Sequence, residues 1–258
     1  YIHKKGSKSI AWTDVGGQYV EETRTMADGQ VVPVMVLVNS TADRRFLLTN
    51  PNGYSITYDG LVIAAEKRVF NGWQAFASYT FSRVYGLQPS GATTADGAQL
   101  STIASFAPNT FGQDPNDLTN ARGRLPNDRP HIFRLMSSAV VPRTGLSFAA
   151  NLQYFSGKPW AATAQIALPQ GDRRIFLEPR GSRRLSSQTL LDLRLSKTIP
   201  LGGVGRVELL VDVFNVLNIT GEEALASDNL YSPNFGRPTV YTDPRRAMFG
   251  VRLTLDQD

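Results

Sequence analysis

Apolar and polar residues alternate with a period of two over stretches of about ten residues, and this constrains the chain more than any other feature. From Trp73 one face reads Trp73, Ala75, Ala77, Tyr79, Phe81 and the other Gln74, Phe76, Ser78, Thr80, Ser82. From Leu146 the apolar set is Leu146, Phe148, Ala150, Leu152, Tyr154. Leu191, Leu193 and Leu195 oppose Asp192, Arg194 and Ser196, and Val207, Leu209, Val211 and Val213 oppose Glu208, Leu210, Asp212 and Phe214. Near the end, Phe249, Val251, Leu253 and Leu255 oppose Met248, Gly250, Arg252 and Thr254. Successive side chains of a strand point to opposite faces, so each stretch predicts a strand with one apolar side. Less regular strands are predicted over Tyr58–Phe70 and His131–Val141, with a strand tail at Tyr1–Lys4. Val31–Val38 is β-prone but interrupted by Pro33, which predicts a strand extension above the main sheet or an edge.

The connections come in two lengths that take turns. Asn71-Gly72, Pro142–Gly145 and Pro200–Gly203 are tight. Asn-Gly supplies the positive φ angles that a two-residue hairpin needs. Gly86–Arg129, Ser156–Ser187 and Leu217–Pro244 are long and rich in Gly, Pro, Asn, Asp and Ser. Compact soluble domains rarely carry several such loops. A transmembrane β-barrel does so by rule, with short periplasmic turns and long extracellular loops. Strands after a tight turn then run outward and strands after a long loop run back.

Composition narrows the classes further. The 258 residues contain no cysteine, which excludes disulfides and thiolate metal sites. No run approaches the ~18 apolar residues of a membrane helix, but a membrane strand needs only about 9–11. The net charge is +5, with paired arginines at Arg173-Arg174, Arg183-Arg184 and Arg245-Arg246 in turn-like segments. That distribution fits a solvated surface better than a nucleic-acid interface. Tyr1–Gly6 has no apolar core behind its charges, so an export leader is expected outside this chain.

Alternation alone does not say which face meets water. The loop asymmetry, the charges on the polar faces and the aromatics near strand ends (Trp73, Tyr79, Phe81, Phe148, Tyr154) favour a barrel with its apolar face toward lipid.

Ordered motifs then carry a resemblance. Leu191–Lys197, Val211–Asn218 and Arg245–Leu253 follow one another. Upstream stand Tyr58–Leu61, Lys67-Arg68, Gly72–Gln74, Ser78–Ser82, Asp128–Phe133 and Tyr154–Trp160. The set resembles the barrel end of TonB-dependent outer-membrane receptors, most of all the Oar-like members that carry a carboxypeptidase-regulatory-like domain. The resemblance implies an all-β, antiparallel transmembrane barrel of about 22 strands closed by a plug. Residues 1–258 would supply about its last eight strands, as one partial barrel domain. It further implies the bacterial outer membrane, energised uptake of a scarce or bulky substrate, and three partners. These are membrane lipid, the remaining strands and plug of the same protein, and the TonB complex reached through those parts.

Candidate functional residues are few. Asp192, Arg194, Glu208, Asp212 and Arg252 lie on the predicted lumen face, as a substrate path or as cross-strand ion pairs. Asp114, Asp117 and Asp128 are acidic loop residues without calcium-loop spacing, and a solvated loop is the simpler reading. His3 and His131 lack ligand or triad partners in the sequence. No metal, cofactor or catalytic constellation is predicted, so the chain is read as a non-enzyme. Two alternatives stay open: a complete small outer-membrane barrel with a structural or adhesion role, and a soluble carbohydrate-binding β-sandwich.

Overall fold

A computed structural model describes residues 1–87 and 111–255 of the chain. Eight strands form its wall: β1 (Ile2–Ser7), β2 (Ser55–Phe70), β3 (Trp73–Leu87), β4 (His131–Val141), β5 (Leu146–Phe155), β6 (Gln188–Pro200), β7 (Gly205–Phe214) and β8 (Arg246–Leu255). They make one antiparallel sheet in which spatial order follows chain order, and the short Gly123–Arg124 strand adds to the upper end of β3. Among the described residues the sheet is open, with β1 and β8 as its outer strands. β1 pairs with Ser55–Gly60, so among the described residues the lower half of β2 also has a free edge.

Turn chemistry sets the rhythm. Asn71 and Gly72 have φ of 54° and 79° and close the β2–β3 hairpin. A Cβ on Gly72 would lie 2.9 Å from the Val140 carbonyl, so both the turn and its neighbour require glycine. Positive φ at Arg143 and Gly145 closes β4–β5, and Gly202 and Gly205 do the same for β6–β7. The register places these three turns at one end, where Trp73 pairs with Ala139 and Phe148 with both Ala139 and Leu195. The tight turns therefore share one end of the sheet, as the alternation of connection lengths predicted. The opposite end receives the long connections, including one at residues 8–54 that the sequence reading did not separate.

The long connections are not plain polar loops. They carry hairpins at Ala11–Asp14 with Phe46–Thr49, Tyr19–Thr25 with Val31–Leu37, Thr163–Ile166 with Arg173–Phe176, and Glu222–Leu225 with Pro238–Tyr241. Together these form a cap. Part of the predicted Gly86–Arg129 loop falls at residues 88–110, outside the described residues.

Val31–Leu37 is an edge strand, as one of the two expectations had it, and does not extend a wall strand: among the described residues it pairs with Tyr19–Thr25 alone. Its other edge is held by side chains. The Met35 N–H donates to Asn116 Oδ1 at 2.7 Å and the Leu37 N–H to Gln170 Oε1 at 3.1 Å. By alternation, the N–H that Pro33 lacks would point to this same side, which no strand occupies. Val32, Val34 and Val36 point inward and meet Ala164, Ile166 and Ile175 in a small core of the cap. A second cluster, Ala11, Tyr54, Leu87, Phe111 and Ala121, joins the cap to the top of the wall.

Candidate functional site

The register sorts the wall into two faces. On one lie Ile63, Tyr79, Phe133 and Tyr154, then Leu193, Val211 and Phe249, continuous across neighbouring strands. Phe249 and Val251 are 79% and 72% exposed, so among the described residues this face has no protein cover at its β8 side. Trp73 marks its lower border. Lys67 Nζ lies 3.9 Å from the Trp73 ring centre and donates to the carbonyls of Phe70 and Trp73 at 3.0 and 3.1 Å. Folding its charge back to the turn lets a lysine sit at a membrane border. Tyr79, Phe81 and His131 mark the upper border, with the Tyr79 hydroxyl 2.7 Å from His131 Nδ1. Trp73 to Phe81 is eight residues of strand. At about 3.4 Å each and a tilt of about 40°, that is roughly 21 Å of height, close to the apolar band of an outer-membrane barrel.

The five predicted lumen residues all lie on the other face. Arg194 and Asp212 are direct cross-strand partners, and the guanidinium donates to both carboxylate oxygens at 2.5 and 2.8 Å. Glu208 and Arg252 are also direct partners, at 3.4 Å. Asp192 has a different role. Its Oδ1 accepts the Asn215 N–H at 2.9 Å and its Oδ2 accepts from Asn151 at 3.3 Å. The face also carries Phe76, Met136, Leu210 and Phe214, so it is a mixed surface and not a purely polar one.

Asn215 explains why the three C-terminal motifs occur together. It adopts φ 48°, and Asn218 adopts φ 51°, which asparagine tolerates better than most residues. The Asn215 amide donates to the carbonyls of Ile219 and Asp243 at 3.0 and 2.9 Å. Asn218 Oδ1 accepts the Arg245 N–H at 2.9 Å. These bonds clasp the upper ends of β6, β7 and β8.

The acidic loop residues are structural joints of the cap. Among the described residues, no three His, Asp or Glu side chains come together to hold a metal. Asp128 is fully buried, accepts the Val84 N–H at 2.6 Å and pairs with Arg124 and Arg184. Asp114 pairs with Arg173 at 3.1 Å, and Asp228 pairs with Arg174. The doublets at 173–174 and 183–184 thus serve to tie loops. Burial would raise the Asp14 carboxyl, but hydrogen bonds from Arg44, Tyr19 and the loop backbone bring it down to about 2. Dense packing around Asp117 desolvates its carboxyl and, with Asp114 nearby, pushes it up to about 7. Sequence reasoning did not find this network. Its only trace was alternation hidden inside loops, such as Val32, Val34, Val36.

A continuous lipid-sized apolar face, aromatic borders and a one-sided loop cap define an outer-membrane β-barrel wall, and the chain resides in the bacterial outer membrane. Residues 43–157 match the family described as an outer membrane beta barrel domain. The TonB-dependent transporter Oar of Myxococcus xanthus is 24% identical over a 258-residue alignment covering 76% of this chain and 22% of that protein. The chain therefore spans about a fifth of the length of this relative, and the Oar-like resemblance carried by the motifs is borne out. The crystal structure of the outer membrane transporter YddB from Escherichia coli aligns with 96% of this chain and 29% of its own, at 14% identity and a TM-score of 0.44.

Proposed function

We propose that this chain is part of the wall of a larger, plugged barrel that performs TonB-dependent, energised uptake of a scarce or bulky substrate. The observation that carries the reading is the likeness to a TonB-dependent transporter across most of the chain. The open sheet supports it. β1 and β8 are not paired with each other among the described residues, and the lower half of β2 has no neighbour. Unpaired strand edges inside a bilayer are not tolerated, so further strands are expected to meet them. On this reading the eight wall strands are about the last third of a barrel of about 22. The lumen face of β6–β8 then meets a plug or the substrate path, and the chain has no catalytic role. A complete eight-stranded barrel would instead require β1 to pair with β8, a pairing not found among the described residues.

The test uses the intact protein in outer-membrane vesicles. Purified TonB periplasmic domain should be retained by vesicles that contain it and not by vesicles from a deletion strain. Equal retention would remove the energised-transport reading. A compact, heat-modifiable form of residues 1–258 expressed alone would favour the small complete barrel.

A further inference from the structure

We infer that Arg83 and Arg122 form a binding site for the phosphate of an anionic lipid headgroup in the outer leaflet. β3 continues past the upper aromatic border, and alternation places Arg83 and Tyr85 on the same outward face as Phe81. Arg83 stands two residues above Phe81, a rise of about 7 Å along the strand. That is the level of lipid headgroups, just outside the apolar band. Both arginines are exposed and both lie over Tyr85, with guanidinium carbons 4.9 and 5.9 Å from its ring centre. Stacking on an aromatic ring fixes a guanidinium while leaving its N–H edge free to donate.

The anchoring is specific. Arg122 Nη1 donates to the Gly53 carbonyl at 3.1 Å, which holds the side chain against the wall. Among the described residues, neither Arg83 nor Arg122 has a carboxylate within salt-bridge distance, although most cap arginines do. Asp59 is the direct cross-strand partner of Arg83 and feels its charge, but its carboxylate is hydrogen-bonded by the Tyr1 hydroxyl and His3 Nδ1, both at 2.7 Å, and forms no salt bridge with Arg83. Lys5 lies on the same face, opposite Thr57, so three cations face one engaged carboxylate. β2 and β3 are interior strands of the sheet, and Arg83 and Tyr85 share the apolar face that carries Phe81 and Tyr79. Oriented guanidinium donors without a salt-bridged carboxylate, at headgroup depth, match a phosphate monoester or diester carried on a lipid. The inference rests on the outer-membrane location and not on the transport reading.

The intact protein is purified from outer membranes in mild detergent, and co-purifying lipid phosphorus is measured. It is also placed in nanodiscs of phosphatidylcholine with or without phosphatidylglycerol, and lipid exchange is followed. The double variant Arg83→Gln/Arg122→Gln should retain about thirtyfold less anionic lipid than the parent, the scale set by two basic groups at a charged surface. Arg252→Gln, on the lumen face, should retain the parental amount. Arg83→Lys/Arg122→Lys keeps the charge and should retain an intermediate amount while preserving heat-modifiable mobility. Parental retention in the double glutamine variant overturns the site. So does loss in the lysine variant as complete as in the glutamine variant, which marks a packing role. Displacement of the lipid by millimolar inorganic phosphate marks a free-anion site and overturns the lipid assignment.

Discussion

Arg194 on β6 and Asp212 on β7 face each other directly across the sheet, and the guanidinium grips both carboxylate oxygens. The Arg194 side chain is half exposed, whereas that of Asp212 is 5% exposed. This asymmetry sets what each substitution does. Arg194→Ala leaves a buried carboxylate without its partner, which costs about 1–3 kcal/mol, toward the low end because solvent reaches the pair. Asp212→Asn keeps an acceptor for the guanidinium and should cost less. Urea unfolding of the intact protein in lipid vesicles measures both, and the double Ala variant should recover part of the loss.

Face assignment makes a sharper comparison on β7. Val211 lies on the apolar face beside Leu195 and Phe249, while Leu210 lies on the opposite face beside Ser196 and Gly250. Val211→Arg should cost about 2–4 kcal/mol near the bilayer midplane. Leu210→Arg should cost much less. Reversal of that order in refolding yields would show that the faces are inverted.

The Asn215 clasp separates backbone strain from hydrogen bonding. Asn215→Gly keeps the positive φ and loses only the side-chain bonds to Ile219 and Asp243. Asn215→Ala loses both, and should be about 1–2 kcal/mol less stable than the Gly variant. Amide exchange at the upper ends of β6–β8 should rise in the same order.

Asp117 gives the cap a pH dependence. Its folded pKa, about 7, lies above the ordinary value of 3.8. Below 3.8 both states hold the proton and there is no difference. Between 3.8 and 7 the unfolded chain gives up its proton while the folded cap keeps it, so cap stability falls as pH rises through this window and is flat above it. Protease resistance of the cap at pH 5 should exceed that at pH 8, and Asp117→Asn should shrink the difference. Asp14 works in the opposite sense. Its depressed pKa contributes stability above 3.8 that is lost as pH falls toward 2.

The sequence by itself determined the wall. A strand's side-chain period is two and does not depend on distant residues, so Trp73–Ser82 or Val207–Phe214 reveals both the strand and its two faces. Asn71-Gly72 fixed a hairpin for an equally local reason, the positive φ of its two residues. Local order therefore gave strand directions and placed Asp192, Arg194, Glu208, Asp212 and Arg252 on one face. Only tertiary structure decided which of them touch. Asp192 lies two residues from Arg194 yet serves Asn215, while Arg194 serves Asp212, because cross-strand register also depends on turn geometry, which alternation alone does not give. The cap was invisible for the same reason. Asp114 meets Arg173 and Asp128 meets Arg184 across more than fifty residues of chain. Such a contact leaves no periodic trace; it is selected because a buried carboxylate needs a cationic partner, wherever in the chain that partner comes from.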